Sequence, residues 1–233
     1  MTPRVIAIDG PAASGKSSTA AAVARRLGWA HLDSGALYRA VTLAALDHLG
    51  EQEAGGGPAW SAQRIVALVE DLPVRLVLVG DVFRPEVAGV DVGEAIRSER
   101  VTRQVSEIAA IPQVRHWVNV RQREAVLAHP GGLVVDGRDI GTVVFPDAPL
   151  KIFLTASPEE RARRRLAQRG DKINPEELDR EAEALAARDR TDATRPVAPL
   201  RPAADALQLD TTQWSLEDQV ARVVALARQR LPH

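Results

Sequence analysis

The stretch that decides the fold of this chain is residues 4–9, RVIAID, followed by residues 10–17, GPAASGKS. The first run is short, apolar and rich in β-branched residues, which predicts a buried strand. The second run matches the pattern G-x-x-x-x-G-K-[ST] in full. Alanine, valine and leucine then continue at helical spacing to Leu27, and Gly28 stands where a glycine ends a helix. This order of elements predicts a phosphate-binding loop at a helix N-terminus.

Each residue type in this loop has a physical role. Glycines let backbone N–H groups approach a phosphate closely, Lys16 would reach the β- and γ-phosphates, and the Ser17 hydroxyl would help to hold Mg²⁺. We therefore predict that ATP and Mg²⁺ bind here. The predicted cofactor-binding residues are Gly10, Pro11, Ala12, Ala13, Ser14, Gly15, Lys16, Ser17 and Ser18, with Ser17 as the metal ligand.

Composition and charge narrow the class of protein. The 233 residues include 30 basic and 31 acidic side chains, so the formal net charge is -1. That balance argues against a protein that mainly coats nucleic acid or anionic membrane. The absence of cysteine excludes a disulfide scaffold, a thiolate zinc site and a cysteine nucleophile. No apolar run approaches about 18 residues and no signal-peptide pattern opens the chain. We expect a cytoplasmic monomer with no nucleic-acid or membrane partner.

Strands alternating with helices predict an α/β fold, with a parallel sheet flanked by helices. Ser34 is expected to cap a helix that runs towards Leu49, and residues 51–59, EQEAGGGPA, are expected to form a loop. Residues 72–92 instead contain short strand-like runs separated by tight turns, which predict an antiparallel meander inserted into the chain. Helical patterns resume after it and break at Pro112.

In the C-terminal half, predicted strands again alternate with predicted helices. Strands are predicted at 132–136, 150–154 and 206–209. Helices are predicted at 158–168, 175–190 and 216–231.

Three classes of protein use such a loop: a kinase, a GTPase-type switch, and an ATP-driven motor or binding module. A GTPase would carry an Asn-Lys-x-Asp-like guanine reader, but none of the three lysines follows an asparagine. A motor usually needs a ring or further domains, for which 233 residues leave little room. A kinase is therefore favoured.

A kinase with an anionic acceptor needs arginines to hold that acceptor and to neutralise charge in the transition state. In residues 33–39, DSGALYR, a hydroxyl stands at a helix start and Arg39 follows just over a turn later. Arg39 could equally be an ordinary solvated arginine. Residues 136–139, DGRD, lie at the carboxyl end of a predicted buried strand, the edge of a parallel sheet where ligands bind.

Residues 161–169 hold five arginines and no acid. On a helix, three of them share one face: Arg161, Arg165 and Arg169. They could form a solvated helix surface or a mobile lid that closes on the phosphates. A second set has the spacing i, i+4, i+7: Arg188, Asp192 and Arg195. This set could form an internal salt-bridge ladder.

Taken together, the loop, residues 32–39 (LDSGALYR), residues 136–146 (DGRDIGTVVFP) and residues 197–200 (VAPL) resemble the bacterial cytidylate kinases, a family of P-loop nucleoside monophosphate kinases. The resemblance covers essentially the whole chain. It implies transfer of the terminal phosphoryl group of MgATP to CMP or dCMP, within pyrimidine nucleotide metabolism. It also implies a division of the single 1–233 chain. The core would be about 1–60 and 110–233, the monophosphate-binding insertion about 61–109, and the lid about 157–190.

The resemblance further implies roles for individual residues. The positions around the acceptor phosphate and sugar are Ser34, Arg39, Arg138 and Arg188. The positions that contact the cytosine ring are Ser106, Arg115 and Asp139. Asp192 matches a sugar contact and Arg195 a phosphate-side arginine. The implied catalytic residues are Lys16, Arg138, Arg161, Arg165 and Arg188. Ser17 and Ser18 replace the Gly-Thr of some relatives, so Ser18 is the alternative metal ligand.

The chemistry of the base is consistent with these roles. Cytosine offers an N4 amino donor beside its N3 and O2 acceptors, which suits a carboxylate plus an arginine. The C4 carbonyl of uracil would face Asp139 as a second acceptor. The closest alternative function is a monophosphate kinase for UMP or AMP. An alternative of a different class is a regulatory nucleotide-binding module without transferase activity. A shikimate-type kinase is disfavoured by the β insertion.

Overall fold

The computed structural model describes residues 4–50 and 60–231, so the loop predicted at 51–59 lies outside the described residues. The strands are β1 (Val5–Asp9), β2 (Ala30–Asp33), β3 (Val74–Val79), β4 (Val82–Val87), β5 (Val90–Asp91), β6 (Leu133–Gly137), β7 (Leu150–Thr155) and β8 (Leu207–Asp210). The helices are α1 (Lys16–Leu27), α2 (Ser34–Leu49), α3 (Ala62–Asp71), α4 (Glu99–Ala110), α5 (Pro112–Leu127), α6 (Pro158–Arg169), α7 (Pro175–Thr194) and α8 (Leu216–Arg230).

The chain divides into two compact units. Unit 1 comprises residues 1–31 and 130–233, and unit 2 comprises residues 32–129. Unit 2 is therefore longer at both ends than the insertion predicted at about 61–109. The reason is packing, because α2 and α5 share one hydrophobic core with α3 and α4.

Unit 1 is built on parallel strands in the order β6, β1, β7, β8. All five residues of β1 are buried, as expected for a strand with a neighbour on each side and helices on its faces. Apolar side chains of α1 and α8 pack with those of β1 and β7 in a single cluster. The predicted parallel sheet flanked by helices is confirmed, and it places the C-terminal ends of β1 and β6 side by side.

Unit 2 carries the predicted antiparallel meander, in which β3 pairs with β4 and β4 pairs with β5. The break predicted at Pro112 is also confirmed, since α4 ends at Ala110 and Pro112 is the first residue of α5. Proline suits that position because a first-turn N–H has no partner within its helix. Within the described ranges 4–50 and 60–231, no helix combines the length and the apolar character needed to cross a membrane.

The predicted capping role of Ser34 is wrong. Asp33 is the residue that precedes α2, and Ser34 is its first helical residue. The Ser34 hydroxyl hydrogen-bonds instead to the side chain of Gln122 on α5. A long-range partner thus takes the hydroxyl that a local pattern assigned to the helix end. Gly28 does end α1 as predicted, with a left-handed φ of 66°.

Close packing at Gly132 gives a test of unit 1. A Cβ atom at this position would lie 2.2 Å from the ring of Trp29, which Arg4 covers on one face at 5.3 Å. We expect Gly132→Ala to lower the free energy of unfolding by about 1–3 kcal/mol or more, because the indole must move. Gly28→Ala is the control, since its Cβ would meet nothing within 4 Å and only the left-handed φ is strained. Urea unfolding measures both, and an equal or smaller loss for Gly132→Ala would contradict this packing.

Candidate functional site

The loop between β1 and α1 passes close to β7. A Cβ atom at Gly10 would lie 2.2 Å from the carbonyl oxygen of Leu154, so the close approach requires glycine. Ala13 and Gly15 adopt left-handed backbone, with φ of 57° and 90°. The loop then enters α1 at Lys16, where the helix N-terminus contributes partial positive charge. The predicted strand, loop and helix are therefore present, in the geometry of an anion-binding turn.

Four cationic side chains donate hydrogen bonds to carbonyl oxygens of this loop. The pairs are Arg138 to Gly10 (3.0 Å), Lys16 to Pro11 (3.1 Å), Arg161 to Ala12 (3.1 Å) and Arg164 to Ser14 (3.3 Å). In a trans peptide the C=O and N–H groups point in opposite directions. The cations on the carbonyl side therefore leave the N–H groups of Ala13 and Gly15 directed away from them, as an anion site requires.

A carboxylate at the end of β6 lies beside the first turn of α1. Asp136 has a side chain only 1% exposed. Its Oδ2 accepts a hydrogen bond from the exposed Ser17 hydroxyl at 2.5 Å. Its Oδ1 lies 2.8 Å from Nε2 of the buried His31 on β2. Three elements of unit 1 thus bring a hydroxyl, a carboxylate and an imidazole into one hydrogen-bonded row.

This row fits a magnesium ion that accompanies a nucleotide. Within residues 4–50 and 60–231, no three His, Cys, Asp or Glu side chains form a cluster that could hold a metal by themselves. Mg²⁺, however, keeps several waters and takes phosphate oxygens from its nucleotide, so a protein hydroxyl with one carboxylate is a sufficient donor set. Ser17 and Asp136 are the residues that could supply it.

Three segments of unit 1 fasten the loop. Asp189 on α7 accepts from the Ala12 N–H at 2.9 Å and also pairs with the Arg161 guanidinium. Arg164 donates to Thr211 through two nitrogens, at 3.0 and 2.6 Å, besides its bond to Ser14. The loop is therefore held by α6, by α7 and by the segment between β8 and α8.

The three arginines predicted to share one face of α6 have different environments. Arg161 is buried against the loop, whereas Arg165 donates to Gln168 on its own helix at 3.2 Å. Arg169 pairs with Asp171 at 2.5 Å and with Glu181 at 2.7 Å. Arg188 lies half-buried on α7, beside Asp189.

A chain of buried and half-buried charges joins the DGRD segment to the end of α7. Arg138 Nε donates to Asp192 Oδ2 at 3.0 Å. Arg195 lies 3.7 Å from the other oxygen of Asp192 and 3.6 Å from Asp139 Oδ1. Of the salt-bridge ladder considered for Arg188, Asp192 and Arg195, the step between Asp192 and Arg195 is present. Four of the residues assigned to the acceptor, from two distant segments, thus lie together in unit 1.

Asp9, the last residue of β1, has an unusual titration. Its two carboxylate oxygens accept the N–H groups of Ile140 and Gly141, each at 2.8 Å. Burial raises the pKa of Asp9 from 3.8 to about 6, and the charge of Asp139 acts in the same direction. The two backbone hydrogen bonds and Lys16 oppose the shift without cancelling it.

In unit 2, Ser34 and Gln122 form a closed pair. The Ser34 hydroxyl donates to Gln122 Oε1 at 3.2 Å, and Gln122 Nε2 donates to the Ser34 hydroxyl at 2.9 Å and to its carbonyl at 3.2 Å. Both residues are buried. The amide therefore fixes the orientation of the hydroxyl assigned to the phosphate and sugar of the acceptor.

The other predicted residues of unit 2 lie on α2, α4 and α5. Arg39 donates to the Thr102 hydroxyl at 2.9 Å and to the Ile96 carbonyl. Arg115 is 2% exposed, donates to the Ala109 carbonyl at 2.9 Å and lies 5.2 Å from the centre of the Tyr38 ring. Ser106 is half-buried on α4.

Some residues that organise these sites have no local sequence signal. Each of them pairs with a residue far away along the chain. The separations are 105 positions for His31, 88 for Gln122, 150 for Arg164 and 177 for Asp189. A strand-borne histidine or a helix-borne glutamine looks ordinary in sequence. Only the fold shows that these side chains contact the loop, Asp136 or Ser34.

Comparison with known proteins identifies relatives over nearly the full length. A family profile described as cytidylate kinase matches residues 6–229. The cytidylate kinase of Pseudomonas fluorescens (strain SBW25) is 46% identical over 225 residues, which cover 95% of this chain and 93% of that protein. The cytidylate kinase of Stutzerimonas stutzeri (strain A1501) is 46% identical over 231 residues, covering 97% and 96%. The crystal structure of TT1252 from Thermus thermophilus aligns with a TM-score of 0.51 at 20% identity, covering all of both chains, which supports the fold.

The titration of Asp9 predicts a pH-dependent stability. Between its unfolded pKa near 3.8 and its folded pKa of about 6, the native state binds the proton more tightly than the unfolded state. Stability contributed by this group is therefore present below pH 4 and is lost as the pH rises to about 6, by about 3 kcal/mol. We expect the difference in unfolding free energy between wild type and Asp9→Asn to fall across that window and to stay flat above it.

Asp205→Asn is the matched control, measured by urea unfolding between pH 4 and pH 8. Its hydrogen bond with Lys151 lowers the pKa of Asp205. The corresponding stability is lost only as the pH falls below about 4, through a folded pKa that lies under the ordinary value of 3.8, so the control stays flat across the measured window. A pH-independent difference for Asp9→Asn would contradict the raised pKa.

Proposed function

The chain belongs to the cytidylate kinase family of nucleoside monophosphate kinases, and from that premise we propose that it transfers the terminal phosphoryl group of MgATP to CMP or dCMP. The products are CDP or dCDP and ADP, which places the reaction in pyrimidine nucleotide metabolism. The observation that carries this proposal is the loop of unit 1, with its carbonyls held by cations and Ser17 hydrogen-bonded to Asp136. The cytoplasmic location and the monomeric state stay predictions.

The loop and the first turn of α1 would hold the donor. A phosphate group can accept hydrogen bonds from the N–H groups of Ala13 and Gly15, while Lys16 supplies a mobile positive charge. Ser17 and Asp136 would hold Mg²⁺, which supplies charge neutralisation on the phosphates when it is bound. The acceptor is a phosphate oxygen that is already ionised at neutral pH, so the transfer needs no general base. Catalysis is then positioning and charge stabilisation.

The acceptor would be recognised through the residues that match the family positions. In unit 2 these are Ser34, Arg39, Ser106 and Arg115. In unit 1 they are Arg138, Asp139, Arg188, Asp192 and Arg195. Five of these nine residues are buried, which supports a selective role, because a buried polar group left unpaired by the wrong base costs about 1–3 kcal/mol.

Release of ADP from MgATP with each monophosphate in turn tests the function. We expect strong turnover with CMP and dCMP, weak turnover with UMP, and almost none with AMP, GMP or no acceptor. A preference for AMP or GMP would contradict CMP as the acceptor but would not affect the assignment of the loop as the ATP site. A protein that binds ATP but releases no ADP with any acceptor would be a regulatory nucleotide-binding module.

Replacement of the loop lysine tests the donor site. We expect Lys16→Ala to lower turnover by about 10²-fold or more, because the charge on the transferred group loses a partner. Lys151→Met is the control, since Lys151 is equally buried at 8% exposed but pairs with Asp205 outside the loop. Thermal unfolding of both variants separates activity from folding. Wild-type turnover in Lys16→Ala would exclude the loop from the reaction.

Replacement of the carboxylate assigned to the base tests selectivity. Asp139→Asn keeps the size of the side chain but places an N–H donor where the wild type has only acceptors. We expect the ratio of kcat/KM for CMP to that for UMP to fall by about tenfold or more, which corresponds to about 1–3 kcal/mol. A general loss of stability would lower both values alike. An unchanged ratio would remove Asp139 from base recognition.

A further inference from the structure

We propose that His31 is a positioning residue for the divalent cation of the donor nucleotide. It acts through Asp136. His31 holds the Asp136 carboxylate in the orientation that accepts the Ser17 proton, and this contact orients the Ser17 hydroxyl. This inference rests on the proposed function only in requiring that a divalent cation accompanies the bound triphosphate. It adds a residue to which no role has been assigned above, on a strand outside the phosphate loop.

The contacts of Asp136 are divided between its two oxygens. Oδ2 accepts from Ser17 at 2.5 Å, and Oδ1 lies 2.8 Å from His31 Nε2. The Asp136 side chain is 1% exposed and the His31 side chain 10% exposed, so bulk water does not substitute freely for either contact. A carboxylate held at both oxygens must break both hydrogen bonds to rotate about its Cβ–Cγ bond, so the two contacts restrain it.

That restraint decides what the Ser17 hydroxyl can do. A serine hydroxyl has one proton to donate and lone pairs with which to accept or to bind a cation. While the proton is committed to Asp136 Oδ2, the lone pairs of Ser17 are directed away from the carboxylate and remain suited to a metal. If Asp136 rotated, the hydroxyl could turn its proton towards the cation, which is repulsive. His31 therefore acts on the Ser17 hydroxyl without touching it, through Asp136, as outer-shell partners do.

The backbone places the three side chains with little freedom. Asp136 stands opposite Ile8 in the parallel pairing of β6 with β1. His31 follows Ala30, whose N–H donates to the Gly132 carbonyl at 3.0 Å beside the start of β6. Ser17 lies in the first turn of α1. Sites carried by strands and helices hold their geometry better than sites on loops.

A structural histidine would give the same contact, so the test must separate the two roles. His31→Leu removes the ring nitrogens at similar size, and His31→Gln keeps an N–H donor that can reach the position of Nε2. The affinity for ATP is measured by titration calorimetry on the full chain, once with Mg²⁺ and once with EDTA. The ratio of the two affinities reports the contribution of the cation.

We expect wild type and His31→Gln to gain affinity on addition of Mg²⁺, and His31→Leu to lose about tenfold or more of that gain. Affinity in EDTA stays within about twofold of wild type. The Mg²⁺ concentration for half-maximal turnover rises correspondingly, while the KM for CMP is unchanged. A purely structural role would lower thermal stability and leave the ratio at its wild-type value, which would overturn the proposal. A wild type that gains nothing from Mg²⁺ would instead contradict the metal in the proposed function.

A second measurement on the wild-type protein covers the case in which His31→Leu does not fold. The chain has only five histidines, so the imidazole ¹⁵N signals are few, and loss of a signal in His31→Gln assigns His31. We expect the His31 Nε2 resonance to move on addition of ATP with Mg²⁺ and to move less with ATP and EDTA. An identical response in the two conditions would overturn the coupling to the cation.

Discussion

The absence of a side chain at Gly10 is the constraint on which the rest of unit 1 depends. A Cβ atom there would overlap the Leu154 carbonyl oxygen at 2.2 Å. Because β1 lies between β6 and β7, the chain that leaves the end of β1 must pass close to β7. The turn brings Lys16 and Ser17 to the C-terminal edge of the sheet, next to Asp136. The parallel register and the glycine together create the site. Neither alone would place a helix N-terminus against a carboxylate.

Charge pairs with at least one buried member then fix the loop. Arg138 pairs with Asp192 and Arg161 pairs with Asp189, and each arginine also holds a loop carbonyl. Taking charged groups out of water costs several kcal/mol per ion, so such pairs add little net stability. Their value is geometric, because removing one partner leaves an uncompensated charge and therefore strongly disfavours other loop conformations. The formal net charge of -1 gives no sign of these specific charge pairs around the loop.

The sequence predicts the parts of this arrangement that have a local cause. The strand, the glycine loop and the helix start follow from residues 4–17, and the meander and the Pro112 break follow from tight turns and a missing N–H. The partners that complete the site could not be predicted in the same way. His31 and Gln122 contact residues about a hundred positions away along the chain. The Ser34 hydroxyl hydrogen-bonds to Gln122 and does not cap the start of α2. Such contacts depend on which helices and strands pack against one another in the fold. The hydrophobic periodicity of the sequence does not show this.

The choice of arginine around the loop and lysine within it has a physical reason. A guanidinium carries five donors in a rigid fork, so it can hold a backbone carbonyl and a carboxylate and still present donors to a phosphoryl oxygen. Arg138 shows the first two of these at once, through Nη1 and Nε. Lysine is a compact charge on a flexible stem, and Lys16 donates to the neutral Pro11 carbonyl. A charged phosphate is a stronger acceptor than a carbonyl, so Lys16 can exchange partners as nucleotide binds while the arginines keep the loop in place.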